Sequence, residues 1–102
     1  MQQTTNIPIE RLLREKRKDI LAIAARHGAV NLRLFGSVAR GEAGPGSDVD
    51  LLFDVREPVS AWFPGGLITD LEELLGRRVD VVEEAALRPL LRPHILRDAI
   101  PL

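Results

Sequence analysis

Apolar residues return every three or four positions in three segments, and this spacing predicts helices. The first runs from about Ile9 to His27, with one apolar stripe facing the core, and Gly28 ends it. The same spacing predicts a helix over Leu67–Leu75 that ends at Gly76, and a last helix over Arg88–Asp98. The N-cap candidates of the first helix are Thr4, Thr5 and Asn6. The residues expected to pack the last helix are Leu90, Leu91, Ile95 and Leu96.

Short apolar runs with polar ends predict the strands. Within residues 32–55, LRLFGSVARGEAGPGSDVDLLFDV, the run Leu32–Phe35 leads into a Gly36-Ser37 turn. A second strand, Leu51–Phe53, is opened by Asp48 and Asp50, and a third spans Arg78–Val82. The order helix, strand, strand, helix, strand, helix predicts a small α/β (α+β) fold. We expect a mixed sheet of three or slightly more strands, with helices on one face and the other face open.

Two carboxylates are expected on one face of the second strand. Side chains on a strand alternate, so Asp48 and Asp50 project together, while Val49 and Leu51 project from the opposite face. Like charges held so close repel, and a divalent cation such as Mg²⁺, which prefers carboxylate and phosphate oxygens, relieves that repulsion. The Gly36-Ser37 turn offers backbone N–H groups and a hydroxyl to a phosphate. The sequence therefore predicts a metal site beside a phosphate site.

These residues carry a resemblance to a known family. The pattern GS-x10-DxD, with Gly36, Ser37, Asp48 and Asp50 in place, resembles the signature of the DNA polymerase β-like nucleotidyltransferase superfamily. The string GSVARGEAGPGSDVDLL is similar to its smallest branch, the minimal nucleotidyltransferases, many of which are antitoxin partners of HEPN-domain toxins. The resemblance covers roughly residues 9–100. It also implies a third carboxylate on a nearby strand, for which Asp80 is the candidate.

The resemblance implies a mechanism and a role for each matching residue. Asp48 and Asp50 would bind two Mg²⁺ ions, and Asp80 would bind only the ion beside the acceptor hydroxyl. The resemblance also implies that Gly36 and Ser37 contact the β- and γ-phosphates of ATP. Arg40 is a candidate for a further phosphate contact, whereas Val38 departs from the Arg or Tyr that many relatives carry after the Ser.

The implied reaction is transfer of AMP from ATP to a hydroxyl. The larger members of the superfamily hold the acceptor with an added helical domain, for which this chain has no residues left. The leading hypothesis is therefore an antitoxin that modifies a tyrosine of a cognate HEPN-domain ribonuclease toxin. Two alternatives remain open: an antitoxin that acts only by stoichiometric binding, and a nucleotidyltransferase for a small molecule.

Composition limits the other classes of function. A chain of 102 residues predicts one domain, residues 1–102. A net charge of −1 gives no overall attraction to nucleic acid or membrane, and the absence of Cys excludes disulfides and thiolate metal sites. No apolar run approaches the roughly 20 residues of a membrane span, and no signal-peptide core is present, so we expect a cytoplasmic protein.

Three further residues are expected to have structural roles. His27 and His94 are more typical of helix ends or the surface than of ligands. Trp62 is expected to pack in the core or as a lid over the sheet, with stacking on a nucleotide base as the alternative.

Overall fold

The computed structural model describes residues 8–102, so the N-cap candidates Thr4, Thr5 and Asn6 lie outside the described residues. The helices are α1 Ile9–Glu15, α2 Arg17–His27, α3 Gly36–Ala39, α4 Gly65–Leu75 and α5 Arg92–Asp98. The strands are β1 Ala29–Phe35, β2 Val49–Val55, β3 Val79–Glu83 and β4 Ile100–Pro101. A turn of 3₁₀ helix, Glu84–Ala86, follows β3. Among the described residues, no helix is both long and apolar enough to cross a membrane.

The four strands form one mixed sheet in the order β3-β2-β1-β4. Strand β1 is antiparallel to β2 and to β4, whereas β2 and β3 are parallel. This confirms the predicted α/β class and mixed sheet. The fourth strand was not predicted, because a two-residue strand that contains Pro101 leaves no periodic signal.

The core lies between the sheet and helices α1, α2 and α4. From β2, Val49, Leu51 and Phe53 project into it, as predicted, and all three are buried. They meet buried residues of the three helices, which are Ile9, Leu12, Leu13, Ile20, Ala24, Leu67, Leu71 and Leu75. Burial of this apolar surface is the main term that holds the helices on the sheet.

Two helix boundaries differ from the prediction. The long first helix is interrupted at Lys16, which has φ −99° and ψ 8° and lies between α1 and α2. Helix α4 begins at Gly65, two residues before the predicted start at Leu67, so Gly65 and Gly66 lie in its first turn. A glycine costs about 1 kcal/mol in a helix, and the burial of Leu67 and Leu71 stabilises α4 by more than that.

The last helix is shorter than predicted. It begins at Arg92, after the 3₁₀ turn and a second turn. Ile95 and Leu96 are half-buried, as expected of packing residues, but Leu90 is 87% exposed and Leu91 is also exposed. The prediction that Leu90 and Leu91 pack inside this chain is wrong, because both precede the helix and lie in a turn directed to solvent.

The second sheet face is only partly open. We call it the carboxylate face, onto which Arg33, Asp50, Leu52 and Asp80 project. Leu52 is 0% exposed, so this face is covered at its centre. The cover comes from the segment after β3, where Glu84 accepts hydrogen bonds from Arg33 and from Arg92. The prediction of an open face is correct at the end that carries Asp48 and Asp50 and wrong at Leu52, because ion pairs anchor the 3₁₀ turn there.

Candidate active site

The parallel pairing of β2 with β3 brings the three predicted carboxylates together. Asp50 is the direct partner of Asp80, and Val49 is the partner of Val79. Asp48 precedes Val49 by one residue, so it projects onto the carboxylate face beside Asp50. The three acidic side chains therefore occupy neighbouring positions at one end of the sheet.

The charges of these residues act on one another. The pKa of the Asp50 carboxyl is raised above its usual value, first because the group is partly buried, and then because of the negative charges of Asp80 and Asp48. The positive charge of Arg40 opposes this rise. The surroundings of Asp50 in this chain thus disfavour its ionised form.

The Gly36-Ser37 turn lies directly against this group. Phe35 pairs with Asp50 across β1 and β2, and α3 begins at the next residue. Gly36 has φ +74°, and a Cβ added there would overlap the Oδ2 atom of Asp50 and lie 3.2 Å from its Cγ. The left-handed backbone conformation therefore favours glycine at this position, and any larger residue would force the Asp50 carboxylate to move.

Arg40 lies within electrostatic reach of Asp50 but is held by other carboxylates. Its Nε donates to Glu42 Oε1 at 3.0 Å, and its Nη1 lies 3.7 Å from Asp98 Oδ2 in α5. The hydrogen bond to Glu42 is the main reason that the pKa of Arg40 is raised above its usual value. A phosphate contact by Arg40, as proposed from the sequence, would have to replace or share these two partners.

Arg78 is a charged neighbour of the site. Its Nε lies 4.0 Å from Asp48 Oδ1. The parallel register explains this, because residue 78 is level with residue 48 just as residue 80 is level with residue 50.

The donor atoms suit Mg²⁺. Asp48, Asp50 and Asp80 supply hard carboxylate oxygens, and their mutual repulsion is the condition that a divalent cation relieves. As the side chains of residues 8–102 stand, no group of three or more acidic, histidine or cysteine residues is arranged to hold an ion. A complete coordination sphere would therefore include oxygens from outside the chain, as Mg²⁺ commonly does with water and substrate phosphates.

His27 belongs to a separate cluster at the other end of β2. Its Nδ1 lies 2.6 Å from Ser60 Oγ and its Nε2 lies 2.8 Å from Asp70 Oδ2. The backbone N–H of Ser60 also donates to the carbonyl of His27. His27 thereby joins the end of α2, the loop after β2 and the side of α4, which is a structural role.

The expectation for Trp62 is wrong. Its side chain is 90% exposed, so it is neither a core residue nor a lid over the sheet. The backbone of Trp62 has φ +66°, in the left-handed region. The next residue, Phe63, makes the core contact instead, with its ring edge-on to Phe53 at a centroid distance of 5.5 Å.

Comparison with known proteins decides the family. The sequence matches the nucleotidyltransferase domain family over residues 11–102. The chain belongs to this family. The protein adenylyltransferase MntA of Thermococcus cleftensis is 37% identical to it, over 90% of this chain and 90% of the relative. A solved structure assigned to a minimal nucleotidyltransferase is 51% identical, with a TM-score of 0.79 over 90% of this chain and 94% of the other.

The structural comparison extends to a toxin–antitoxin crystal structure with AMP-PNP. Its matching chain is 19% identical to this one, with a TM-score of 0.69 over 82% of this chain and 69% of the other. At this identity the likeness shows a shared fold. The predicted family and fold are thus confirmed, and the protein is a nucleotidyltransferase.

Proposed function

We propose that this protein is a cytoplasmic antitoxin that transfers AMP from ATP to a tyrosine hydroxyl of a cognate HEPN-domain ribonuclease toxin. One observation carries the proposal: Asp48, Asp50 and Asp80 lie on one sheet face directly beside the Gly36-Ser37 turn. Carboxylates next to a phosphate-binding turn are the arrangement that nucleotidyl transfer needs, since the reaction depends on positioning and charge neutralisation.

Different residues of the chain bind the phosphates and the metal ions. Gly36 and Ser37 hold the β- and γ-phosphates of ATP through backbone N–H groups and the Ser37 hydroxyl, and the absence of a Cβ at Gly36 lets the Asp50 carboxylate lie against this turn. Asp48 and Asp50 would hold two Mg²⁺ ions, and Asp80 would hold one of them. When bound, Mg²⁺ neutralises the phosphate charge and lowers the pKa of an attacking oxygen.

The chemical step forms one bond and breaks another. The tyrosine oxygen attacks the α-phosphorus, the bond to the pyrophosphate oxygen breaks, and pyrophosphate leaves. Asp80 lies on the edge strand β3, where an acceptor can reach it, and it accepts the hydroxyl proton or orients the hydroxyl. Because Asp80 is exposed whereas Asp50 is half-buried, Asp80 suits the acceptor side and Asp50 the nucleotide side.

Two further findings support a protein acceptor. The Thermococcus cleftensis relative is named as a protein adenylyltransferase, and a toxin–antitoxin assembly that shares this fold was solved with AMP-PNP.

The test is a transfer assay with the protein encoded by the adjacent gene. The proposal predicts label on that protein from α-³²P-ATP with Mg²⁺ and none from γ-³²P-ATP, because AMP is transferred and pyrophosphate is released. Silencing of the toxin in a stable complex without any label would instead support stoichiometric binding. Label on a small molecule alone would support a nucleotidyltransferase whose acceptor is a small molecule.

A further inference from the structure

A basic cavity lies at the end of the sheet where β2 and β3 begin, and Ser47, next to Asp48 in the chain, lines it. It has a volume of about 250 Å³ and lies between the loop before β2 and the turn that joins α4 to β3. Its lining includes Gly46 and Ser47 from the loop and Gly76, Arg77 and Arg78 from the turn, and it includes no acidic residue. Two arginines in a small polar cavity are suited to bind an anionic group.

Arg78 can serve a ligand without loss of a strong bond. Its side chain is 84% exposed, and its ion pair with Asp48 has an N–O distance of 4.0 Å. An ion pair this long and this exposed contributes little to stability. Arg77 has an interaction of its own within the chain and adds positive charge to the cavity wall.

The position of the cavity separates it from the proposed phosphate site. Strand β2 lies between β1 and β3, and the Gly36-Ser37 turn follows β1. The cavity lies at the start of β3, next to Asp48 and on the strand that carries Asp80. The proposed phosphate site and the cavity therefore lie on opposite sides of β2. In the proposed function, the cavity is then on the side of Asp80, where the acceptor binds.

We propose that Arg78 is a specificity-determining residue which binds a carboxylate close to the acceptor tyrosine, with Arg77 adding to the positive field. The acceptor would thus be a tyrosine with an acidic side chain one or two residues away. This inference rests on the proposed function, because it assigns a partner to the Asp80 side of the same site.

The test uses two tyrosine-containing peptides that are identical except for one residue next to the tyrosine, which is Glu in one peptide and Gln in the other. Their binding to the protein is followed by NMR at the arginine Nε–H groups, without ATP. We expect the Glu peptide to shift the Arg78 signal and to bind about tenfold more tightly than the Gln peptide. Arg78→Gln should remove this difference. Arg56→Gln is the matched control, because Arg56 is exposed and follows the opposite end of β2.

Three outcomes overturn the inference. Equal binding of both peptides to the natural protein shows that the cavity does not recognise an acidic residue next to the tyrosine. A preference for the Glu peptide that persists in Arg78→Gln shows that another residue recognises it. An Arg78 signal that responds to pyrophosphate but to neither peptide assigns the cavity to the nucleotide's phosphates.

Failure of the proposed function gives a different result. Transfer of label from α-³²P-ATP is measured separately with Asp48→Asn/Asp50→Asn. Unchanged transfer by that variant refutes the catalytic role of the carboxylates, whereas the peptide preference is measured in the absence of ATP and Mg²⁺. Circular dichroism on each variant confirms that the fold is retained.

Discussion

The backbone of Gly36 lies so close to the carboxylate of Asp50 that a methyl group on Gly36 would overlap Asp50 Oδ2. The turn that ends β1 and the carboxylate of β2 therefore form one unit, although fourteen positions separate them in the sequence. Any nucleotide phosphate held by the turn lies next to a carboxylate that can share its cation. This contact is the structural basis of the proposed site.

Gly36→Ala should reduce AMP transfer by about 100-fold, because the methyl group displaces Asp50 and misplacement by about 1 Å costs that much. Gly41→Ala is the matched control. Gly41 also has φ +74°, but in the described part of the chain nothing lies within 4 Å of a Cβ placed there. Backbone strain should lower the free energy of unfolding of both variants by about 1 kcal/mol or more, as measured by urea unfolding. Only Gly36→Ala should lose AMP transfer. Equal losses of transfer would show that strain, and not the Asp50 contact, is responsible.

Asp50→Asn should stabilise the metal-free protein at neutral pH. The folded-state pKa of Asp50 is raised, so its contribution to stability is greatest below the ordinary pKa of Asp and is lost as the pH rises through the raised value. Asp50→Asn has no charge at this position, so it does not lose stability as the pH rises. Urea unfolding in EDTA should show the advantage of the variant at pH 7, shrinking as the pH falls below the range of Asp titration. A variant less stable at pH 7 than the natural protein would contradict the raised pKa.

His27 and Asp70 should stabilise the fold together. His27→Ala and Asp70→Ala each remove a hydrogen bond that joins α2 to α4, and each should lower the free energy of unfolding by about 1–3 kcal/mol. In a double-mutant cycle the two losses should not add, because the second substitution removes nothing further from the pair. AMP transfer per folded molecule should stay unchanged, since the cluster lies at the opposite end of β2. Additive losses would show that the pair is not coupled.

Trp62 and Phe63 should differ sharply in their effect on stability. Phe63 packs edge-on to Phe53, so Phe63→Ala should cost about 2 kcal/mol or more. Trp62→Ala should change the free energy of unfolding by less than about 0.5 kcal/mol, because its side chain is exposed. Thermal and urea unfolding of both variants provide the measurement. A large loss for Trp62→Ala would place its side chain in the core.

The sequence predicts local features of this fold better than those that depend on long-range packing. The helix ends at Gly28 and Gly76 follow from the glycines themselves, and both have the left-handed conformation expected of a C-cap. The two-residue strand β4 exists only because β1 offers an unpaired edge. The segment that covers Leu52 is held by ion pairs of Glu84 with Arg33 and Arg92, and no local pattern reveals these.

In the candidate site too, the sequence predicts the local features better than those that depend on long-range packing. Alternation along β2 predicts that Asp48 and Asp50 share a face. The family resemblance indicates Asp80 as the third carboxylate, but its place opposite Asp50 depends on a parallel register that no single strand contains. That register also sets Arg78 beside Asp48. Glu42 lies close to Arg40 in sequence, but the approach of Asp98 depends on where α5 packs. The roles of these residues in catalysis stay predictions.

The measurement that tests the central claim most directly is the intact mass of the acceptor protein after incubation with ATP and Mg²⁺. The natural protein and Arg56→Gln should add AMP to a tyrosine, whereas Asp48→Asn/Asp50→Asn and Asp80→Asn should add none while remaining folded. Loss of the mass increase only in the carboxylate variants would establish that these three side chains carry out the transfer. Full modification by a folded Asp48→Asn/Asp50→Asn protein would contradict the account.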